Sequence, residues 1–89
     1  MTFLFVNRVR PDASPADLAD VIPPHIQWLK ARMSEGSVTL AGKWGEIGGA
    51  VLAEVGSLAA AKEMFEADPL VASGLVDWDV AEFHPLQRP

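Results

Sequence analysis

The sequence predicts an α+β fold in which strands and helices follow one another in the order βαββαβ. Short apolar or alternating segments have the character of strands, and two segments repeat apolar residues at helical spacing. Serine or aspartate stands ahead of each helical segment, as is typical of N-caps. With 89 residues, the chain has room for one small domain.

The first strand is predicted at residues 2–8, where Phe3, Leu4, Phe5 and Val6 form an unbroken apolar run. Strict alternation would indicate a strand with one solvated face. A continuous apolar run instead indicates a strand that is buried on both faces.

The first helix is predicted to begin after Ser14, with Pro15 in its first position. Apolar side chains then recur on one predicted face, at positions 18, 22, 26, 29 and 33. Pro23 and Pro24 interrupt the pattern, and an interior proline costs a helix about 3 kcal/mol because it removes a backbone hydrogen bond. We therefore expect a kink or a restart with Pro24 in the first position, and a left-handed cap at Gly36.

Two further strands are predicted at residues 38–41 and 50–55. The segment 42–49 joins them and contains four glycines, which permit tight turns or a close approach of the backbone to another group. It is not a phosphate-binding loop, because it lacks the Gly-Lys-Ser/Thr pattern and no helix follows it directly.

The second helix is predicted to begin after Ser57 and to end at Asp68-Pro69, since a residue before proline disfavours helical geometry. The same pair can begin a short third helix that ends near Gly74, with Asp68 as its cap. The last strand is predicted at residues 75–83, where apolar and polar residues alternate.

This order of elements predicts a ferredoxin-like sandwich with a four-stranded antiparallel sheet, whose helices cover one face and leave the other open. The chain is 49% hydrophobic and has no cysteine that could form a disulfide. Because the first strand is apolar on both sides, we expect two chains to pack sheet to sheet as a homodimer. The domain is predicted over residues 1–86, followed by a loose tail at 87–89.

Composition argues against several classes of partner. Seven Lys and Arg residues stand against twelve Asp and Glu residues, and no basic stripe predicts binding to nucleic acid or an anionic membrane. No apolar run approaches the roughly 18 residues of a transmembrane helix, and the start of the chain does not resemble a signal peptide. We therefore expect a cytoplasmic protein without a metal site or cofactor, because ligand spacing and cofactor fingerprints are missing.

His25 and Asp68 are the residues most able to carry chemistry. His25 is predicted in the first turn after the helix break, where the helix N-terminus favours a neutral imidazole that can accept a proton. The alternative is a hydrogen-bonded interfacial histidine without a catalytic role. Asp68 is predicted as a helix cap, and by spacing alone that structural role is sufficient. His84, beside a proline after the last strand, is predicted to be an ordinary surface histidine.

Lys43, Trp44 and Glu54 are further candidates for a substrate pocket. Trp44 is either a core or interface residue or the cover of a pocket, since it is predicted in a flexible loop. Glu54 is the only charge inside the third strand, so we expect it to be paired, at an edge or lining a cavity.

Several segments resemble, in order, those of the YciI-like (YCII-related) family over roughly residues 1–84. They are a His-x-x-Trp-Leu segment at 25–29, an Ala-Gly pair at 41–42, and an Ala-Asp-Pro segment at 67–69 that continues to Gly74. The sequence departs from the family pattern near the presumed pocket. Lys43 and Trp44 stand where a proline commonly follows Ala-Gly, and Pro23 stands where a polar residue is common.

The resemblance implies a ferredoxin-like fold that pairs into a dimeric α+β barrel. It also implies a His–Asp dyad, which by position would be His25 and Asp68, with His25 as general acid or base and Asp68 orienting its ring. The implied chemistry is proton transfer on a small cyclic or aromatic metabolite, of the lyase, isomerase or dehydrochlorinase type. One activity associated with the family is dehydrochlorination of a chlorinated hydroxyhydroquinone. The alternatives are a non-catalytic module that binds a small ligand, and a dimer that recruits other proteins.

Overall fold

The structure, a computed structural model, describes residues 1–86 as four strands and three helices. In chain order these elements are β1 (Thr2–Val9), α1 (Pro15–Ser34), β2 (Val38–Trp44), β3 (Gly48–Glu54), α2 (Leu58–Glu66), α3 (Pro69–Ala72) and β4 (Val76–Glu82). The predicted tail at 87–89 lies outside the described residues. The α+β fold with a four-stranded antiparallel sheet is confirmed.

The strands lie in the order β2-β3-β1-β4, and each pairs antiparallel with its neighbours. It follows that β2 runs parallel to β1, whereas β3 and β4 run against it. Each main helix connects two parallel strands and returns against them. Consequently α1 runs antiparallel to β1, and α2 runs parallel to it.

The core lies between the sheet and the helices. Phe3 and Phe5 of β1 are almost completely buried on this side, because the two-residue period of a strand sends alternate side chains to the same face. Phe5 stacks on Phe65 of α2, with ring centroids 4.2 Å apart. Trp28 of α1 and Trp78 of β4 complete the aromatic layer, 6.0 Å from Phe65 and 5.7 Å from Phe5.

The opposite side of the sheet, here called the open face, has no helix over it. It presents a mainly apolar surface to which Leu40 contributes a side chain that is 62% exposed. Its other apolar residues include Leu4, Val6, Trp44 and Leu52. The prediction that β1 is apolar on both faces is confirmed, and one chain leaves half of that surface uncovered.

Helix α1 runs without interruption through Pro23 and Pro24, so the predicted restart at Pro24 is wrong. The prolines remove the N–H groups that would bond to the carbonyls of Ala19 and Asp20. All four of these residues are exposed, and water can therefore satisfy the freed carbonyls. The helix continues because packing against the sheet outweighs the local cost of the prolines.

The apolar stripe predicted to be the buried face of α1 is only partly buried. Leu18 and Leu29 face the core side, but Ile22, Ile26 and Met33 are 37%, 42% and 43% exposed. The helix is rotated so that His25 and Trp28 replace them at the contact with the sheet and α3. No residue of α1 is fully buried.

The helix ends follow the predicted capping residues. The Ser14 hydroxyl accepts a hydrogen bond from the Asp17 N–H, and the Ser57 hydroxyl accepts one from the Ala60 N–H. Gly36 has a φ of 86°, and the N–H of the next residue reaches back to a carbonyl in the last turn of α1. This is the left-handed glycine ending that was predicted.

The connection between β2 and β3 is much shorter than predicted. β2 extends to Trp44 and β3 begins at Gly48, which leaves a turn at residues 45–47 with Gly45 at a φ of 65°. Trp44 is therefore a paired strand residue, and its prediction in a flexible loop is wrong. Glycine is unfavourable in strands, but pairing with β3 stabilises the extended backbone here.

Position 48 in this segment requires glycine for a steric reason. A Cβ atom at this position would lie 2.7 Å from the Trp44 carbonyl oxygen and 2.9 Å from that of Asn7. Both contacts are with backbone atoms, which cannot move aside easily. The strands can approach this closely because residue 48 has no side chain.

Candidate active site

His25 lies in the middle of α1 and not at a helix start. The predicted helix N-terminus is therefore too far away to favour the neutral form of this imidazole. Its side chain points to the core side and is only 12% exposed. Pro23 and Pro24, which precede it, are exposed and lie on other faces of α1. The His25 ring faces the short helix α3.

Asp68 is the N-cap of α3 and is 1% exposed. Its Oδ1 accepts a hydrogen bond of 2.9 Å from the Leu70 N–H, and Pro69 follows in the first helical position. The predicted role as a cap is confirmed. A buried carboxylate needs more than one such partner to offset the loss of water.

The second partner of Asp68 is His25. Its Nδ1 lies 2.8 Å from Oδ1 and 2.9 Å from Oδ2 of the carboxylate. Since a carboxylate can only accept, Nδ1 carries the proton and donates it to Asp68. No hydrogen bond joins Nε2 to any group of residues 1–86. In the neutral ring, Nε2 is therefore the free proton acceptor.

The structure separates the three other pocket candidates by face. Lys43 pairs with Gly49, which pairs with the buried Asn7, and this register places Lys43 on the side of the sheet that carries the helices. Its ammonium group makes no ion pair within residues 1–86. Lys43 thus lies on the same side of the sheet as His25.

Trp44 and Glu54 lie on the open face, with the sheet between them and the His25–Asp68 pair. The Arg8 guanidinium packs over the Trp44 ring at 4.8 Å from its centroid. Glu54 accepts a hydrogen bond from the Thr2 hydroxyl and lies 3.6 Å from the N-terminal ammonium group. Within one chain, neither residue is brought together with His25.

Asn7 is a candidate that sequence reasoning missed. It is 6% exposed and lies on the helix-covered side of β1, in line with Phe3 and Phe5. Its signal was the two-residue period, because the third inward position of an apolar strand is occupied by a carboxamide. A polar residue at such a position needs a partner or a function.

Other possible sites are less developed. No cluster of three or more potential metal ligands of the His, Cys, Asp or Glu type occurs among residues 1–86. None of the described helices has the length and apolarity to cross a membrane. His84 is a surface side chain, as predicted, and lies 3.7 Å from Glu82. Two shallow depressions of about 180 and 230 Å³ lie along the open face, away from His25.

The fold and the buried histidine–carboxylate pair define a small ferredoxin-like α+β protein with a polar site between helices and sheet. Within that class, the chain belongs to the YCII-related domain family, whose model matches residues 1–84. No curated protein sequence is significantly similar to this one.

Solved structures share the fold at low sequence identity. One is 5-chloro-2-hydroxyhydroquinone dehydrochlorinase from Burkholderia phenoliruptrix AC1100, determined with 2,5-dihydroxybenzoquinone; it is 21% identical, with a TM-score of 0.78 and 94% of each chain covered. Another is muconolactone isomerase, 18% identical, with a TM-score of 0.76 and coverage of 98% of this chain and 94% of that one. An antibiotic biosynthesis monooxygenase is more distant, at 9% identity and a TM-score of 0.56, with 96% of this chain and 100% of that one covered. At these identities the likeness shows a common fold.

Proposed function

We propose that this protein is a small-molecule enzyme of the lyase or isomerase type that transfers protons through His25. The observation that carries the proposal is the arrangement of the imidazole. Its Nδ1 is held by both oxygens of a buried carboxylate, while its Nε2 makes no hydrogen bond to residues 1–86. A fixed ring with one free nitrogen meets the geometric requirement for a general base.

In the proposed reaction, Nε2 of His25 takes a proton from a hydroxyl or an acidic C–H group of the substrate. The electron pair left behind moves into the ring of the substrate. A leaving group then departs with its electrons, or the protonated His25 returns the proton to a different carbon. Throughout, the Asp68 carboxylate stabilises the imidazolium and keeps the ring in the tautomer that exposes Nε2.

The substrate class is proposed from two structural relatives. Their names specify a chlorinated hydroxyhydroquinone for one enzyme and a lactone for the other. Both are small oxygenated rings.

We also propose that the working form is a homodimer in which two open faces pack together. Leu40 is 62% exposed, and its neighbours on that face include Leu4 and Val6. An apolar sheet face of this extent is unfavourable in water. Packing against the same face of a second chain would cover it and would close the shallow depressions.

The proposal is tested by chloride release from 5-chloro-2-hydroxyhydroquinone, with isomerisation of muconolactone as a second assay. Wild-type protein should turn over at least one of these rings. His25→Gln should lower kcat by roughly 10²- to 10⁴-fold, the usual contribution of a general base. His84→Gln is the matched control, since it removes the exposed histidine, and should retain full activity.

Two results would contradict the proposal. If His25→Gln turned over as fast as His84→Gln, proton transfer through His25 would be wrong. If the wild type bound these rings without converting either, the non-catalytic ligand-binding module would be the better description.

A further inference from the structure

Asn7 is the only asparagine of the chain. The residue is 6% exposed, although its carboxamide atoms are not completely cut off from solvent. No donor or acceptor among residues 1–86 forms a hydrogen bond with this side chain. Buried polar groups in folded proteins nearly always have a partner, because they lose their bonds to water. A carboxamide that the fold leaves without a protein partner, yet within reach of solvent, is available to a ligand.

The aromatic layer locates this carboxamide relative to the dyad. Phe5, Phe65 and Trp28 are three rings of this layer, with centroid separations of 4.2 Å and 6.0 Å. The fourth ring, Trp78, is the β4 residue that pairs with Asn7. Each of these three rings has a polar residue two or three positions away in the sequence, which is about one period of a strand or one turn of a helix. The polar residues are Asn7, two residues after Phe5; Asp68, three residues after Phe65; and His25, three residues before Trp28.

In all three cases the polar residue is displaced from its aromatic residue in the same direction, which is the direction of β1. Asn7 follows Phe5 along β1. Phe65 lies near the end of α2, which runs parallel to β1, and Asp68 follows just after that end as the cap of α3. His25 precedes its aromatic residue in α1, which runs antiparallel to β1. These chain directions favour a position for the amide, the carboxylate and the imidazole on the same side of the three rings.

The Asn7 carboxamide packs against the neighbouring strand at a glycine. Gly49 pairs with Asn7, and a Cβ atom at Gly49 would lie 3.2 Å from Asn7 Nδ2, tighter than ordinary contact. Lys43 pairs with Gly49 from the other side. A cationic side chain and an amide thus flank a glycine on the helix-covered face, an arrangement that favours an oxygen atom with negative charge.

We propose that Asn7 binds a ring oxygen of the substrate through its amide N–H, in the polar layer that also contains His25 and Asp68. The ligand class is a small planar ring with hydroxyl or carbonyl oxygens. When Nε2 of His25 removes a proton from such a ring, charge develops on its oxygen, and the Asn7 N–H group stabilises that charge. This inference rests on the proposed function and adds a substrate-contacting residue to it.

The test uses protein labelled with ¹⁵N in asparagine, in which Asn7 gives the one side-chain amide signal. The probe is 2,5-dihydroxybenzoquinone, and His25 ring signals are followed in the same titration. We expect the Asn7 amide and the His25 ring to shift together along one saturation curve. Asn7→Leu should weaken probe binding by about 10- to 100-fold, the effect of losing a hydrogen bond to a charged group.

Stability separates a ligand-binding role from a structural one. Because Asn7 has no partner in the fold, Asn7→Leu should leave the urea midpoint of unfolding unchanged or raise it. A lowered midpoint would mean that the carboxamide supports the fold, and would overturn the inference. Gln27→Leu, which replaces an exposed carboxamide on α1, is the control and should bind the probe like the wild type.

The outcomes distinguish the two proposals. If His25 shifts but Asn7 does not, and Asn7→Leu binds normally, the role of Asn7 is wrong and the dyad remains. If Asn7 shifts while the His25 ring does not, the amide site stands and proton transfer at His25 loses its support. If the wild type shows no shift at either residue, the oxygenated-ring ligand is wrong for both.

Discussion

His25 and Asp68 lie 43 positions apart in the chain, yet Nδ1 of the histidine is within 2.8 and 2.9 Å of the two carboxylate oxygens. Asp68 contributes to two structures at once. It caps α3 through the Leu70 N–H, and it fixes the ring that α1 presents. A short helix that begins with Asp-Pro therefore places a buried carboxylate against the middle of α1.

Replacement of Asp68 should separate its two roles. Asp68→Asn should remain folded with a free energy of unfolding close to that of the wild type, because asparagine is as good a cap as aspartate. Asp68→Ala should lose about 1–3 kcal/mol, since it removes the cap and leaves Nδ1 of His25 buried without an acceptor. Urea unfolding monitored by tryptophan fluorescence measures both. Equal stability of the two variants would contradict the capping role.

The turnover of the Asp68→Asn variant should not follow its stability. The side chain introduced by Asp68→Asn can present its amide oxygen or its NH₂ group to His25, but it cannot stabilise an imidazolium as a carboxylate does. We expect Asp68→Asn to lose turnover in the chloride-release assay despite its intact fold. Retention of wild-type kcat by this variant would show that the carboxylate serves only the fold.

The open face should control association. Leu40→Glu places a charge on a surface that we propose is buried between two sheets, and should convert the dimer to a 9.6 kDa monomer. Leu58→Glu is the matched control, because Leu58 is 43% exposed but begins α2 on the other layer. Light scattering coupled to size exclusion gives the masses. A monomeric wild type, or dissociation of the control alone, would rule out pairing through this face.

Amide hydrogen exchange should report whether α1 is continuous. In one unbroken helix, His25 and Ile26 donate to the carbonyls of Val21 and Ile22 and exchange slowly. In a helix that restarts at Pro24, these two amides belong to the first turn and have no carbonyl partner. The Lys30 amide is protected in either case and provides the reference. Rapid exchange of His25 and Ile26 beside a slow Lys30 would contradict the continuous helix.

Two glycines of the β2–β3 hairpin should respond differently to alanine. At Gly48 the new methyl group would lie 2.7 Å from a backbone oxygen, whereas at Gly42 it would meet nothing within 4 Å. Gly48→Ala should lose about 1–3 kcal/mol of stability, as overpacked sites do. Gly42→Ala should be neutral or slightly stabilising, because alanine loses less backbone entropy on folding. Urea midpoints would compare them, and similar values for both would argue against close approach at Gly48.

Much of the fold could be predicted from local sequence. The caps at Ser14, Ser57 and Asp68 and the glycine ending at Gly36 are local signals, and all of them stand where expected. The unbroken helix through two prolines could not be predicted in this way. Its stability depends on packing against the sheet and on exposed carbonyls, which local propensity does not describe.

For the candidate site, too, some residues could be predicted from the sequence and others depended on long-range structure. The family resemblance predicted His25 and Asp68 as a pair, and the structure places them in contact. Trp44 and Lys43 are adjacent in the sequence, but a strand sends them to opposite faces of the sheet. They were predicted together because β2 was expected to end before them. Strand register, which is a long-range property, decided which of them shares a face with the dyad.

¹⁵N NMR of the His25 ring would show whether Asp68 fixes this side chain so that Nε2 faces the substrate. At a pH where the ring is neutral, we predict the Nδ1–H tautomer in the wild type. Addition of 2,5-dihydroxybenzoquinone should then shift the Nε2 resonance, and Asp68→Asn should abolish the tautomer preference. A ring protonated at Nε2, or an Nε2 resonance that the bound quinone leaves unchanged, would contradict the account.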